Sequence, residues 1–106
     1  MKIKQFEGRN GAVRNQLLLI EKGQGANGDF ITRETFQSYD SIIAVKTVWD
    51  NGDDGYDIDV VLDEKYWDYS TTTGEYRNIF LGEDKSETVK KIKAGIYKLD
   101  NLNKGE

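Results

Sequence analysis

The chain contains no cysteine, no histidine and no proline. Without thiols there is no disulfide framework, no thiolate zinc site and no cysteine nucleophile. Without imidazole, the commonest general base near neutral pH and the commonest transition-metal ligand are both missing. Without proline, turn formation falls to the eleven glycines, helped by asparagine and aspartate. Long apolar runs are missing as well. None approaches the ~20 residues of a bilayer-spanning helix, and Met1 to Gly8 lacks the apolar stretch of a secretory signal. We therefore expect a cytoplasmic protein that works through carboxylates, lysines, hydroxyls and aromatic rings.

The 106 residues carry no low-complexity tract and suit a single domain, 1–106. Residues 1–62 read as mainly β. Lys2 to Phe6 alternates weakly, and Gly8-Arg9-Asn10-Gly11 reads as a turn. Gln16 to Glu21 is a short continuous apolar run that suits a strand buried on both faces. Asp29 to Arg33 has strand composition, Phe36 to Ser41 forms a polar aromatic corner, and Ile42 to Val48 is rich in β-branched residues. A turn over Asp50 to Gly55 then returns the chain as Tyr56-Asp57-Ile58-Asp59-Val60-Val61-Leu62. Here Tyr56, Ile58, Val60 and Leu62 share one face, with Asp57 and Asp59 on the other.

Residues 63–106 read as two short helices and a short terminal strand. Thr72-Thr73-Gly74-Glu75 has the form of a capping box, with Thr72 as the cap. Tyr76, Ile79 and Phe80 follow at helical spacing, and Gly82 stops the helix. A second helix is signalled by Asp84 or Ser86 as cap, Glu87 early, lysines late and Gly95 as terminator. Ile96 to Leu99 alternates and can add an edge strand. The expected fold is α+β: an antiparallel sheet of four or five strands with two C-terminal helices on one face.

Two motif matches fail on inspection. Gly23-Gln24-Gly25-Ala26-Asn27-Gly28 spells GxGxxG, but the residues that follow have strand rather than helix composition, so a hairpin loop is expected instead of a dinucleotide site. Asp50, Asp54 and Gly55 match positions one, five and six of a calcium-binding loop. Gly52 at position three and Val61 at position twelve break that pattern, and no metal or cofactor is expected.

Charge is unevenly spread. Residues 50–68 hold eight acids, Asp50, Asp53, Asp54, Asp57, Asp59, Asp63, Glu64 and Asp68, against Lys65 alone. Lys85, Lys90, Lys91, Lys93, Lys98 and Lys104 reverse the sign near the C-terminus. Asp63, Glu64 and Asp68 could divide acid and base roles as a carboxylate pair, yet acids at a strand end are ordinarily solvated, and a non-catalytic protein is the stronger expectation. For binding, Tyr66, Trp67, Tyr69, Arg77 and Asn78 offer stacking faces, a guanidinium and an amide. The competing structural reading places Trp67, Tyr76 and Phe80 in the core and pairs Arg77 with a nearby acid.

Phe36-x-Ser38-Tyr39-x-Ser41-Ile42-Ile43-Ala44, together with Tyr66-Trp67-Asp68-Tyr69-Ser70-x-Thr72-Thr73-x-x-Tyr76-Arg77-Asn78-x-Phe80-Leu81-Gly82-Glu83, resembles a group of small phage and prophage proteins of Gram-positive bacteria, over about Phe36 to Asn103. The group has no known activity, so the resemblance implies context alone: a cytoplasmic accessory protein made during infection and acting on a host component, such as an antiviral defence factor. Two docking modes follow. The acidic hairpin, through Asp50, Asp53, Asp54, Asp57 and Asp59, can imitate phosphates and engage a basic groove of a host nucleic-acid enzyme. Alternatively, Tyr66, Trp67, Tyr69, Arg77 and Asn78, with the late lysines, can capture nucleic acid or a nucleotide. A third reading is an oligomeric structural protein whose open sheet edge is covered by its own copy.

Overall fold

The computed structural model describes residues 2–8, 11–23, 30–50 and 55–104. In chain order the elements are β1 (Lys2–Gly8), β2 (Gly11–Lys22), β3 (Phe30–Ser38), β4 (Ser41–Asp50), β5 (Tyr56–Asp63), α1 (Thr71–Leu81), α2 (Lys85–Lys93) and β6 (Lys98–Asp100). The fold is α+β, built on one sheet in the order β1-β2-β3-β4-β5-β6. The first five strands form an antiparallel meander, whereas β6 runs parallel to β5. The sheet has six strands because the helical pair acts as a crossover that returns the chain alongside β5, as parallel neighbours require.

Register decides which side chains meet. Lys4, Leu18, Phe36, Ala44 and Leu62 lie opposite one another across five strands. Phe36, Ala44 and Leu62 on this row are fully buried and form the core with Ile43, Val60, Tyr76, Phe80 and Tyr97. From α1, Tyr76 packs on Phe6 at 5.7 Å and Phe80 on Phe36 at 5.9 Å between ring centroids. Each aromatic so buried contributes about 1.5–3 kcal/mol. The next row, Ile3, Leu19, Thr35, Val45, Val61 and Lys98, projects from the opposite face of the sheet.

Several local expectations are corrected. Phe36 to Ser38 is not a corner but the end of β3, and the turn is Tyr39-Asp40, with Tyr39 at φ 55°. The amide of Tyr39 donates to the Asn15 carbonyl at 2.7 Å, which fixes the turn against β2. The cap of α1 is Ser70 rather than Thr72: the Ser70 hydroxyl accepts from the Thr73 amide. Thr73 is fully buried and shares a hydrogen bond of 2.9 Å with the Ser38 hydroxyl, an interaction that sets the rotation of α1 on the sheet. The buried face of α1 is therefore Thr73, Tyr76, Arg77 and Phe80, while Ile79 is 56 % exposed.

Other local signals match the structure. Gly82 caps α1 in the left-handed region at φ 69°, a conformation glycine adopts without strain. Asp84 caps α2 by accepting from the Glu87 amide, and Lys90, Lys91 and Lys93 fill its last turn. Tyr56, Ile58, Val60 and Leu62 do share one face of β5, but that face is covered only in its second half. Val60 and Leu62 are core residues, whereas Tyr56 is 71 % and Ile58 66 % exposed. No helix among the described residues is long and apolar enough to cross a membrane.

Candidate functional site

The segment joining β5 to α1 is held by Asp63. It ends β5 with its carboxylate turned back on the chain, accepting from the amides of Lys65, Tyr66 and Leu102 at 2.8–3.0 Å. Burial by itself would raise its pKa, but the hydrogen bonds from Leu102, Tyr66, Asn103 and Lys65 outweigh that and hold it below the ordinary aspartate value. Asn103 completes the knot. Its side chain accepts from the Ile42 amide at 2.8 Å and donates to the Ile42 carbonyl at 2.9 Å, so the C-terminal segment is tied to the start of β4.

Beyond Asp63 the chain closes around Arg77, which is 1 % exposed. Its Nη1 donates to the Trp67 carbonyl at 3.0 Å and to Asp68 Oδ1 at 2.9 Å, and Nη2 donates to Asn78 Oδ1 at 2.9 Å. The guanidinium carbon lies 5.3 Å from the centre of the Trp67 ring. Gly74, one turn earlier on α1, packs against it: a Cβ there would stand 3.5 Å from Nη2, an ordinary contact distance. Asp68 also takes Lys85 at 2.6 Å. Burial raises the Asp68 pKa, and the two cations more than reverse this, leaving it below the ordinary value.

These residues border an open cleft of about 720 Å³ between the start of α1 and the start of α2, with Ser70, Thr71 and Glu75 on its rim. The cleft brings together Arg77 and Asn78 from the sequence-derived set. It does not offer a free guanidinium, because Arg77 is buried and already paired with Asp68, which also holds Lys85. Trp67 and Tyr66 are half-buried and pack against the core. Tyr69 alone of the aromatic set is exposed, at 47 %, with its ring edge-on to Tyr66 at 5.5 Å.

A second polar cluster was not anticipated. Glu83, just past α1, accepts from Thr88 Oγ1, Lys91 Nζ and Tyr97 Oη, each at 2.7 Å. Burial would raise its pKa, but these three donors bring it below the ordinary value, and the Glu83 carboxylate raises Lys91 in turn. The cluster floors a cleft of about 340 Å³ walled by Ile58, Val60, Leu81 and Ile96. Its sequence signal is four polar residues, Thr88 and Lys91 on α2 with Glu83 and Tyr97 in the segments on either side, which composition alone does not connect.

The acidic hairpin is arranged differently. Asp57 is exposed and Asp59 half-exposed, on the face of β5 away from the helices, opposite Trp49 and Thr47. Among the described residues neither carboxylate has a hydrogen-bond or ion-pair partner. Asp50 is half-buried at the end of β4, opposite Tyr56. Asp53 and Asp54 lie outside the described residues, as does most of the Gly23 to Gly28 loop.

The backbone of β5 is also divided. β6 pairs only with Val61, Leu62 and Asp63, so among the described residues no strand lies beside the outer edge of Tyr56 to Val60. The result is an open ladder of amides and carbonyls flanked by exposed Tyr56 and Ile58 on one face and carboxylates on the other. Comparison with protein-family models, curated proteins and solved structures returns no match.

Proposed function

We propose that this chain is a non-catalytic phage accessory protein that binds and modulates a host component, a basic protein such as a nucleic-acid-handling defence factor, through the β4–β5 hairpin. The observation that carries the reading is the outer edge of β5, where, among the described residues, no strand lies beside it, Asp57 and Asp59 have no partner, and Tyr56 and Ile58 are exposed. Exposed apolar side chains next to an unpaired strand favour strand addition, which supplies main-chain hydrogen bonds and side-chain pockets together. The carboxylates add long-range steering toward a basic partner.

The aromatic segment contributes Tyr69 at most. Arg77, Trp67 and Asn78 are consumed in holding α1 to the preceding loop, so capture of nucleic acid or a nucleotide through that guanidinium has no supporting feature here. The phage context rests on the resemblance over Phe36 to Asn103.

The test is capture from host lysate at low and high salt, with an Asp57→Lys/Asp59→Lys variant beside the parent. A basic protein retained by the parent at low salt, released at high salt and missed by the variant is the expected result. Equal capture by the variant would remove the hairpin from consideration. Multiple-turnover chemistry in purified protein, lost on changing Asp68 to Asn, would overturn the non-catalytic reading.

A further inference from the structure

Among the described residues, β1 and the outer half of β5 each present an edge with no strand beside it, and the two edges carry the same three-residue pattern with opposite charge. On β1 it is Lys2-Ile3-Lys4, and on the outer half of β5 it is Asp57-Ile58-Asp59. The central isoleucines are 65 % and 66 % exposed, and Lys2, Lys4 and Asp57 are exposed as well. We propose that the open half of β5 receives β1 of a second copy of this chain, in an antiparallel pair centred on Ile58 of one copy and Ile3 of the other.

The geometry is set by which face each charge occupies. Lys4 lies opposite Leu18, which packs on the core, so Lys4 and Lys2 project from the helix-covered face. Asp57 and Asp59 project from the other face, because Val60 and Leu62, at the alternating positions that follow Ile58, are the core residues of β5. For the lysines of one copy to meet the carboxylates of the next, the two sheets must join with their helices on opposite sides. Turning one sheet over while keeping its β1 edge toward the neighbour also reverses its strand direction. The charge match therefore demands antiparallel pairing, the more stable ladder. Lys2 then faces Asp59, Ile3 faces Ile58 and Lys4 faces Asp57, pairs of the kinds that stabilise a two-strand ladder.

The added strand takes the part of the β5 edge that β6 leaves unpaired. With Ile3 opposite Ile58, Lys2 to Gln5 covers Asp59 to Tyr56 and stops short of Val61, where β6 begins. Each copy uses β1 on one side and β5 on the other, so the contact is head-to-tail and does not close on itself. The product is an open chain of copies that lengthens with concentration and shortens with salt. This pairing rests on the docking reading above only in using the same edge of β5, and it makes self-association a competitor of any host protein bound there.

Sedimentation velocity on the parent across a wide concentration range, at low and high salt, reads the association directly. The average mass of the parent should rise with concentration at low salt and fall back on adding salt. Lys2→Glu/Lys4→Glu and Asp57→Lys/Asp59→Lys should each stay monomeric, while an equimolar mixture of the two should associate, since every edge then meets its opposite charge. A parent that stays monomeric throughout, or a mixture no larger than its components, overturns the proposal.

An Ile3→Cys/Ile58→Cys variant guards against misfolding of the charge variants, because the chain has no other cysteine. Within one copy the two positions sit four strand spacings apart, ~19 Å, beyond the ~7 Å limit for a disulfide. Oxidation should therefore give a ladder of covalent multimers, and a product that remains a single chain counts against the pairing. Association without capture of a basic host protein would sink the docking reading and leave this one standing. Capture without association would do the reverse.

Discussion

Asp63 and Asp57 stand at the two ends of β5, and the fold treats them in opposite ways. Asp63 is 1 % exposed and accepts three backbone hydrogen bonds, whereas Asp57 is exposed and has no partner among the described residues. The same contrast separates Asp68 from Asp59. A carboxylate becomes part of the fold where two or more donors converge on it, since only then is its lost hydration replaced. The inner half of β5 is built around such donors, supplied by the turn that follows and by the C-terminal segment beside β6. The outer half has none, and its charges face outward.

The sharpest way to break this comparison is to remove the cation from the inner group. Arg77→Ala should cost about 2–4 kcal/mol in urea denaturation, because it empties a fully buried site and leaves the Trp67 carbonyl and Asn78 without their donor, while Asp68 keeps Lys85. Arg77→Met, which keeps the volume, should cost less. Next in size, Asp63→Ala leaves the amides of Lys65, Tyr66 and Leu102 without an acceptor and should cost about 2–4 kcal/mol, read the same way.

Acid titration sharpens the comparison without mutation. The pKa values of Asp63, Asp68 and Glu83 are all depressed in the folded chain. The unfolded chain therefore takes up protons first, so stability that is complete above the ordinary carboxylate range, at about pH 5, drains away as the pH falls through it and below. Thermal melting temperatures should drop steadily on that limb, and the Asp63→Ala variant should show a shallower fall.

Smaller effects follow. Ser70→Ala removes the cap of α1 and should cost about 1 kcal/mol. At the other extreme, Asp57→Lys/Asp59→Lys should leave stability within about 0.5 kcal/mol of the parent. A loss there comparable to that of Asp63→Ala would mean that the outer carboxylates serve the fold after all.

Much of this layout is legible in the residue order. The alternation of Tyr56 to Leu62 places the acids and the apolar side chains on opposite faces of β5, and the glycine at position 82 ends α1 as expected. For the cap of α1 the residue order is ambiguous, because Thr72 and Glu75 satisfy a capping pattern locally as well as Ser70 does. What settles the matter is the Ser38 hydroxyl on β3, which needs Thr73 at the sheet. The same contact turns Ile79 outward and Arg77 inward, against their hydropathies. Nothing local marks the parallel pairing of β6, and hence nothing local shows that half of β5 stays open.

The order of amino acids by itself settled which chemistries are missing, where strands alternate, and that Ile3 and Ile58 each stand between like charges. Tertiary structure alone decided which charges are spent on the fold and which remain available. The reason is electrostatic: whether a buried charge is tolerated depends on donors and counter-ions delivered through space. For Asp63 and Arg77 those groups come from a turn, a helix and a distant terminal segment that only folding brings together.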